Sequence, residues 1–172
     1  MRVSTLSQLP DRAIIARKDG AAMHRLATLL AVTAGLALGA VQSAHAQASS
    51  VAGIMEGAAQ GDAVAQDDLA TLYEWGAGVP QDLVEAARLY RLAAEQGYPA
   101  GQYNLGNVYA HGIGVEQDNA RAYMWYSIAA DEGDEDGPYD RDRIASLLTA
   151  DQIARAQEMA RRCMESNYSQ CD

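Results

Sequence analysis

Slid by 36 residues, the chain matches itself. Gly61 falls on Gly97 and then on Gly133, Ala58 on Ala94 and Ala130, Leu69 on Leu105, and Tyr73 on Tyr109. Gly76-Ala77-Gly78-Val79-Pro80-Gln81-Asp82 falls on Gly112-Ile113-Gly114-Val115-Glu116-Gln117-Asp118. Between residues 58–97 and 94–133, 16 of 40 positions are identical, where chance would give only a few. A period of this length is the signature of a repeat architecture. Each unit cannot bury its apolar face alone and does so by stacking on its neighbours.

Each unit reads as two helices. The first is expected over residues 63–75 and again over 99–111. Leu69, Leu72 and Tyr73 sit at i, i+3 and i+4, the spacing of one helical face. Pro99 suits a first turn, where a missing N–H costs nothing. Gly76 and Gly112 are expected as left-handed C-caps. Asp82 and Asp118 are expected to cap the second helices, and Asp82-x-x-Glu85 has capping-box spacing. The second helices are rich in alanine, which lets neighbours approach closely, while Tyr90 and Tyr126 fill the wider gaps.

These residues resemble the Sel1-like repeat (SLR) family, relatives of the tetratricopeptide repeats. The resemblance rests on Ala65-Gln66, residues 69–73, the Gly76–Asp82 loop and residues 86–97, with a second copy over residues 102–109, 112–118 and 122–133. It covers roughly residues 56–133. It implies an all-α fold, a short right-handed α/α solenoid of helix pairs. It also implies a protein-interaction scaffold, often outside the bacterial cytoplasm. Two full repeats are few for a stable solenoid, so the ends must help. Residues 47–62 read as an N-terminal capping helix and residues 63–133 as the two repeats. Residues 134–172 read as a decayed repeat followed by a cap. There Arg141 stands where the pattern wants Leu, and Ala145 where it wants Tyr. A degenerate helix is expected over residues 139–148, with Ile144, Leu147 and Leu148 apolar. Thr149-Ala150-Asp151-Gln152 is a capping box. The last helix would bury Ile153, Ala156, Ala160 and Cys163 and wet Arg155, Glu158, Arg162 and Glu165.

Residues 1–46 read as a secretory signal peptide. Arg2, Arg12, Arg17, Lys18 and Arg25 precede a 15-residue apolar run at 26–40, and Ala44-His45-Ala46 supplies a small-x-small cleavage site. At about 1.5 Å per residue the run is short for a hydrocarbon core of about 30 Å. Met1 and Met23 are both candidate starts. Cleavage after Ala46 removes five of 13 basic and two of 23 acidic residues, which leaves 8 arginines, no lysine and a net charge of −13. Such a chain is a poor ligand for nucleic acid or an anionic membrane. The destination is expected to be the periplasm or the exterior. No membrane span is expected after cleavage.

Cys163 and Cys171 are the only cysteines. Even number, short spacing and export argue for one intramolecular disulfide that clips the tail to the last helix. Intermolecular pairing and free thiols are the alternatives. The seven-residue spacer is not a C-x-x-C redox motif.

Catalytic signals are sparse. His111 is the only histidine after residue 46. A metal site built on several histidines is therefore excluded, and no serine has a G-x-S-x-G context. The run Asp131-Glu132-Gly133-Asp134-Glu135-Asp136-Gly137 resembles an EF-hand loop, but Arg143 would stand at the twelfth position in place of a bidentate Glu. No metal and no cofactor are expected. A hydrolase acting on β-lactam or cell-wall substrates is the rival reading, through cysteine-rich SLR proteins. The chain lacks their regular cysteine pair per repeat.

Recurring positions are structural, because the same contact repeats. The first-helix positions that diverge between copies are the candidates for gripping a protein or peptide partner. The copies differ at Asp67/Tyr103, Asp68/Asn104, Thr71/Asn107, Glu74/Ala110 and Trp75/His111, and of these Asp67, Asp68, Thr71, Trp75, Tyr103, Asn104, Asn107 and His111 carry the binding expectation. Since Tyr103 and Asn107 do not recur, they are expected to contribute little to packing. The chain is expected to be monomeric.

Overall fold

The computed structural model describes residues 50–171. They form seven helices and no strand: α1 (Val51–Ala59), α2 (Ala63–Trp75), α3 (Leu83–Ala94), α4 (Pro99–His111), α5 (Asn119–Asp131), α6 (Gly137–Ala145) and α7 (Ala150–Glu165). Each helix from α1 to α6 packs mainly on its sequence neighbours, α2 also touches α4, and α7 returns to α5. That nearest-neighbour pattern is the solenoid expected from the 36-residue period.

The recurring loop residues each make the same bond in both copies. Gly76 (φ 65°) and Gly112 (φ 68°) end α2 and α4 in the left-handed region. Glycine reaches it without a Cβ clash. The next amides, of Ala77 and Ile113, close on the carbonyls of Leu72 and Val108 at 3.0 Å each. Gln81 Nε2 donates to the Glu74 carbonyl at 2.8 Å, and Gln117 Nε2 to the Ala110 carbonyl at 2.9 Å. These bonds satisfy carbonyls that a helix end leaves orphaned. Asp82 then accepts from the Glu85 amide, and Asp118 from those of Ala120 and Arg121. The capping box at Asp82 is only half formed. Glu85 turns to Arg88, at 2.6 and 2.8 Å, because the Asp82 amide is already bonded to the Tyr73 carbonyl.

The core is built from small residues and tyrosines. Ala70, Ala86, Ala93, Ala94, Leu105, Val108, Ala122, Met124, Tyr126 and Ile128 are almost wholly buried. Gly106 shows why α4 needs small residues on this face. A Cβ there would lie 2.6 Å from the Tyr126 ring.

At the C-terminal end, α6 and α7 both cover α5. Ile144, Ala156, Ala160 and Cys163 are buried, and Thr149 and Gln152 form the complete capping box. Helix α6 begins two residues earlier than expected, at Gly137, and ends at Ala145. Leu147 lies beyond that end and is exposed, so it is no part of the apolar face. A disulfide joins Cys163 to Cys171, with a Cα–Cα distance of 4.4 Å. It closes a tail in which Asn167 and Tyr168 take left-handed φ values of 51° and 62°. The Tyr168 ring lies against Gly97. The signal-peptide reading falls on residues 1–46, outside the described residues.

Candidate functional site

Helices α2 and α4 lie side by side, and a groove of about 450 Å³ opens between them. Its walls are Thr71, Glu74 and Trp75 from α2 and Asn104, Asn107 and His111 from α4. Tyr90 and Ile113 complete the lining. Five of the eight residues singled out by divergence thus meet in one place: Thr71, Trp75, Asn104, Asn107 and His111. They meet because Thr71 and Asn107, and likewise Trp75 and His111, are the same repeat positions in adjacent copies. Stacking sets equivalent positions beside each other.

The other three lie off the groove. Asp68 is exposed and faces a second, more apolar groove between α1 and α2, beside Ile54, Gly57 and Leu72. Asp67 is buried, and Asn104 Nδ2 donates to its Oδ1 at 2.9 Å, tying α2 to α4. Burial lifts its carboxyl from 3.8 to about 6; the Asn104 bond opposes that rise and the neighbouring Asp68 charge adds to it. Burial and the carboxylates of Asp67, Asp68 and Asp62 also hold the Tyr98 hydroxyl above its ordinary range.

Tyr103 points to the C-terminal cap. Its hydroxyl donates to Asp140 Oδ2 at 2.8 Å, and its ring lies 5.6 Å from that of Tyr126. Burial and the Asp140 carboxylate raise its hydroxyl pKa. The expectation that Tyr103 and Asn107 add little to packing is therefore overturned. Asn107 Oδ1 accepts from the Tyr126 hydroxyl at 2.8 Å. In the preceding copy Thr71 Oγ1 lies 3.0 Å from the Tyr90 hydroxyl, which donates to Glu74 Oε2 at 2.9 Å. The residue types differ, yet both copies hold the recurring tyrosine from the same position. Comparing residue identities hid that contact, since an amide oxygen that accepts and a hydroxyl that bonds the phenol oxygen can each hold a tyrosine.

Glu74, Tyr90 and Ile113 also line the groove. Glu74 was legible as a position that differs between copies. Tyr90 was hidden because it recurs.

The groove presents an exposed indole, two primary amides, a carboxylate and an imidazole. His111 Nδ1 lies 3.0 Å from the Asn107 carbonyl of its own helix, so its ring is turned to the backbone. Thr71 Oγ1 donates to the Asp67 carbonyl at 3.1 Å. Hydroxyl and imidazole are thus engaged apart from each other, where nucleophilic catalysis needs them bonded. Among the described residues there is no group of three or more His, Cys, Asp or Glu side chains that could hold a metal ion. In the acidic loop, Asp134 Oδ1 accepts from the amides of Asp136 (3.1 Å) and Gly137 (2.8 Å) and so starts α6. No helix of the described residues is long and apolar enough to cross a membrane.

Comparison with known proteins accords with this architecture. The Sel1 repeat model matches residues 63–98 and 99–134. A solved structure of a protective antigen from uropathogenic Escherichia coli, displaying an SLR fold, is 32% identical, with a TM-score of 0.64 over 67% of this chain and 26% of its own. A Sel1 repeat protein from Oxalobacter formigenes is 36% identical over 51% of this chain and 35% of its own, with a TM-score of 0.49. The chain thus spans about a quarter to a third of the lengths of these two proteins. No curated protein is matched. The chain thus carries two adjoining Sel1 repeats, with the helix pairs and loops they require, in an SLR fold.

Proposed function

We propose that this protein is an exported, non-catalytic interaction module that grips a protein or peptide partner in the α2–α4 groove. Sel1 repeats are commonly protein–protein interaction scaffolds. The observation that carries the reading is the meeting of Thr71, Trp75, Asn104, Asn107 and His111 in one groove, above a core of recurring residues. Trp75 is 71% exposed, so its indole is available as an aromatic anchor for a partner. Asp68 and Tyr103 flank the contact surface, and Asp67 braces it from beneath. The interface is small, because two repeats offer a short groove, and its affinity is in the micromolar range. Residues 1–46 direct the chain out of the cytoplasm, where the Cys163–Cys171 bond persists.

A photo-cross-linking residue at position 71 tests the groove, with position 88 on α3 as control. Partner adducts are expected from position 71 only. Adducts from position 88 alone would move the binding surface elsewhere. Fractionation tests export. The mature chain should begin at or near Gln47 in the periplasmic fraction, and full-length protein confined to the cytoplasm would refute it.

A further inference from the structure

Charge is segregated by helix in this solenoid. Helix α2 carries Asp67, Asp68 and Glu74 and no cation. Helix α4 carries no Asp, Glu, Lys or Arg and ends on His111. The arginines after residue 46 sit elsewhere: Arg88 and Arg91 on α3, Arg121 on α5, Arg141 and Arg143 on α6, and Arg155, Arg161 and Arg162 on α7. None of them lines the α2–α4 groove. Several are ion-paired within their own helices, Arg88 with Glu85, Arg143 with Asp140, and Arg161 with Glu158 and Glu165. The groove lining therefore holds one carboxylate, Glu74, and no arginine. Low-dielectric walls around a carboxylate strengthen its field on whatever enters.

Glu74 and Trp75 are consecutive, and both line the groove. Tyr90 donates to Glu74 Oε2, which orients the carboxylate. A carboxylate has lone pairs for further donors beside that bond, and a planar guanidinium fits it in a forked arrangement. The same guanidinium stacks on an indole face. Across the groove, Asn104 and Asn107 carry amides, groups that complement a peptide main chain as donor and acceptor. An acidic partner would meet Glu74 as a like charge.

Resting on the groove reading above, we propose that the occupant is an extended cationic peptide segment, with an arginine side chain laid over Trp75 and paired to Glu74. The charge segregation, the exposed indole and the oriented carboxylate together select this partner chemistry.

The test is calorimetric titration of the protein with an octapeptide of alternating arginine and glycine, at low salt. Matched peptides carrying lysine, glutamine or glutamate in place of arginine are the comparators. The arginine peptide should bind with a Kd on the order of 10–100 μM, the lysine peptide several-fold more weakly, and the glutamate peptide not at all. Trp75→Ala and Glu74→Gln should each weaken the arginine peptide by about five- to tenfold. Asp151→Asn, an equal charge change on α7, should weaken it less than about twofold. Melting temperatures of all three variants establish that they fold; Gln at position 74 retains an acceptor for Tyr90. Equal losses from Glu74→Gln and Asp151→Asn would mean attraction by net charge alone and overturn the proposal. Tighter binding of the glutamine or glutamate peptide, still sensitive to Trp75→Ala, would leave the groove reading standing and refute its cationic preference. No binding of any octapeptide would refute the cationic proposal, while cross-linking at position 71 would still decide the groove reading independently.

Discussion

Gly78 and Gly114 occupy the same repeat position and both have left-handed φ, 81° and 68°. Alanine at either site incurs the left-handed penalty of about 1–2 kcal/mol. Their surroundings differ. A Cβ on Gly78 would meet only the Val51 Cγ2 methyl, at 3.1 Å, the end of a side chain that can rotate. A Cβ on Gly114 would lie 2.1 Å from the Leu83 carbonyl oxygen, 2.4 Å from its carbon and 2.8 Å from the Val84 nitrogen. These are backbone atoms of the first turn of α3, held by the Asp82 cap. An ordinary contact begins near 3.4 Å, so the loop or the helix must retreat by more than 1 Å. Overpacking of that kind adds about 1–3 kcal/mol. Gly114→Ala should therefore cost about 3 kcal/mol or more, and Gly78→Ala about 1–2. At about 3–5 °C per kcal/mol for a chain of this size, the melting temperature should fall by about 10 °C or more for Gly114→Ala and by about 3–10 °C for Gly78→Ala. Thermal unfolding followed by circular dichroism at 222 nm reads both. Equal shifts would show that the α3 backbone does not press on the Gly114 loop as described.

Asp67 should make stability fall as pH rises from about 4 to about 6, because burial raises its folded-state pKa to about 6 and the native state then binds more protons than the unfolded chain. Its contribution is complete below the unfolded value near 3.9 and lost as pH passes 6. Denaturant midpoints should flatten across that window in Asp67→Asn, and an unchanged profile would count against it. Asn107→Ala should cost about 1–2 kcal/mol, since it removes the acceptor of the buried Tyr126 hydroxyl; a melt identical to the parent's would mean that bond is dispensable. Replacing Cys163 and Cys171 together with alanine should cost roughly 2–3 kcal/mol by the loop-entropy argument, with reduction of the parent giving a similar loss; no difference between oxidised and reduced melts would refute it.

Periodicity, caps and turn residues were legible in the chain because they are local. A period of 36 residues, Gly at the C-caps and Asp at the N-caps act through backbone geometry within a few residues. They determined the helix pairs, and divergence between copies pointed to five residues that meet in the α2–α4 groove. Three things awaited the tertiary structure, because they depend on atoms 19 or more residues away in sequence. Asn107 and Thr71 turned out to hold Tyr126 and Tyr90, a shared contact that unlike residue types conceal. Tyr103 turned out to bond Asp140 of the C-terminal cap, 37 residues away. Gly78 and Gly114, identical in the repeat, turned out to face a rotatable methyl in one copy and the rigid backbone of the preceding repeat in the other. An end repeat lacks a full neighbour, so a periodic sequence dictates equal local geometry while stacking alone decides how tightly each copy is enclosed.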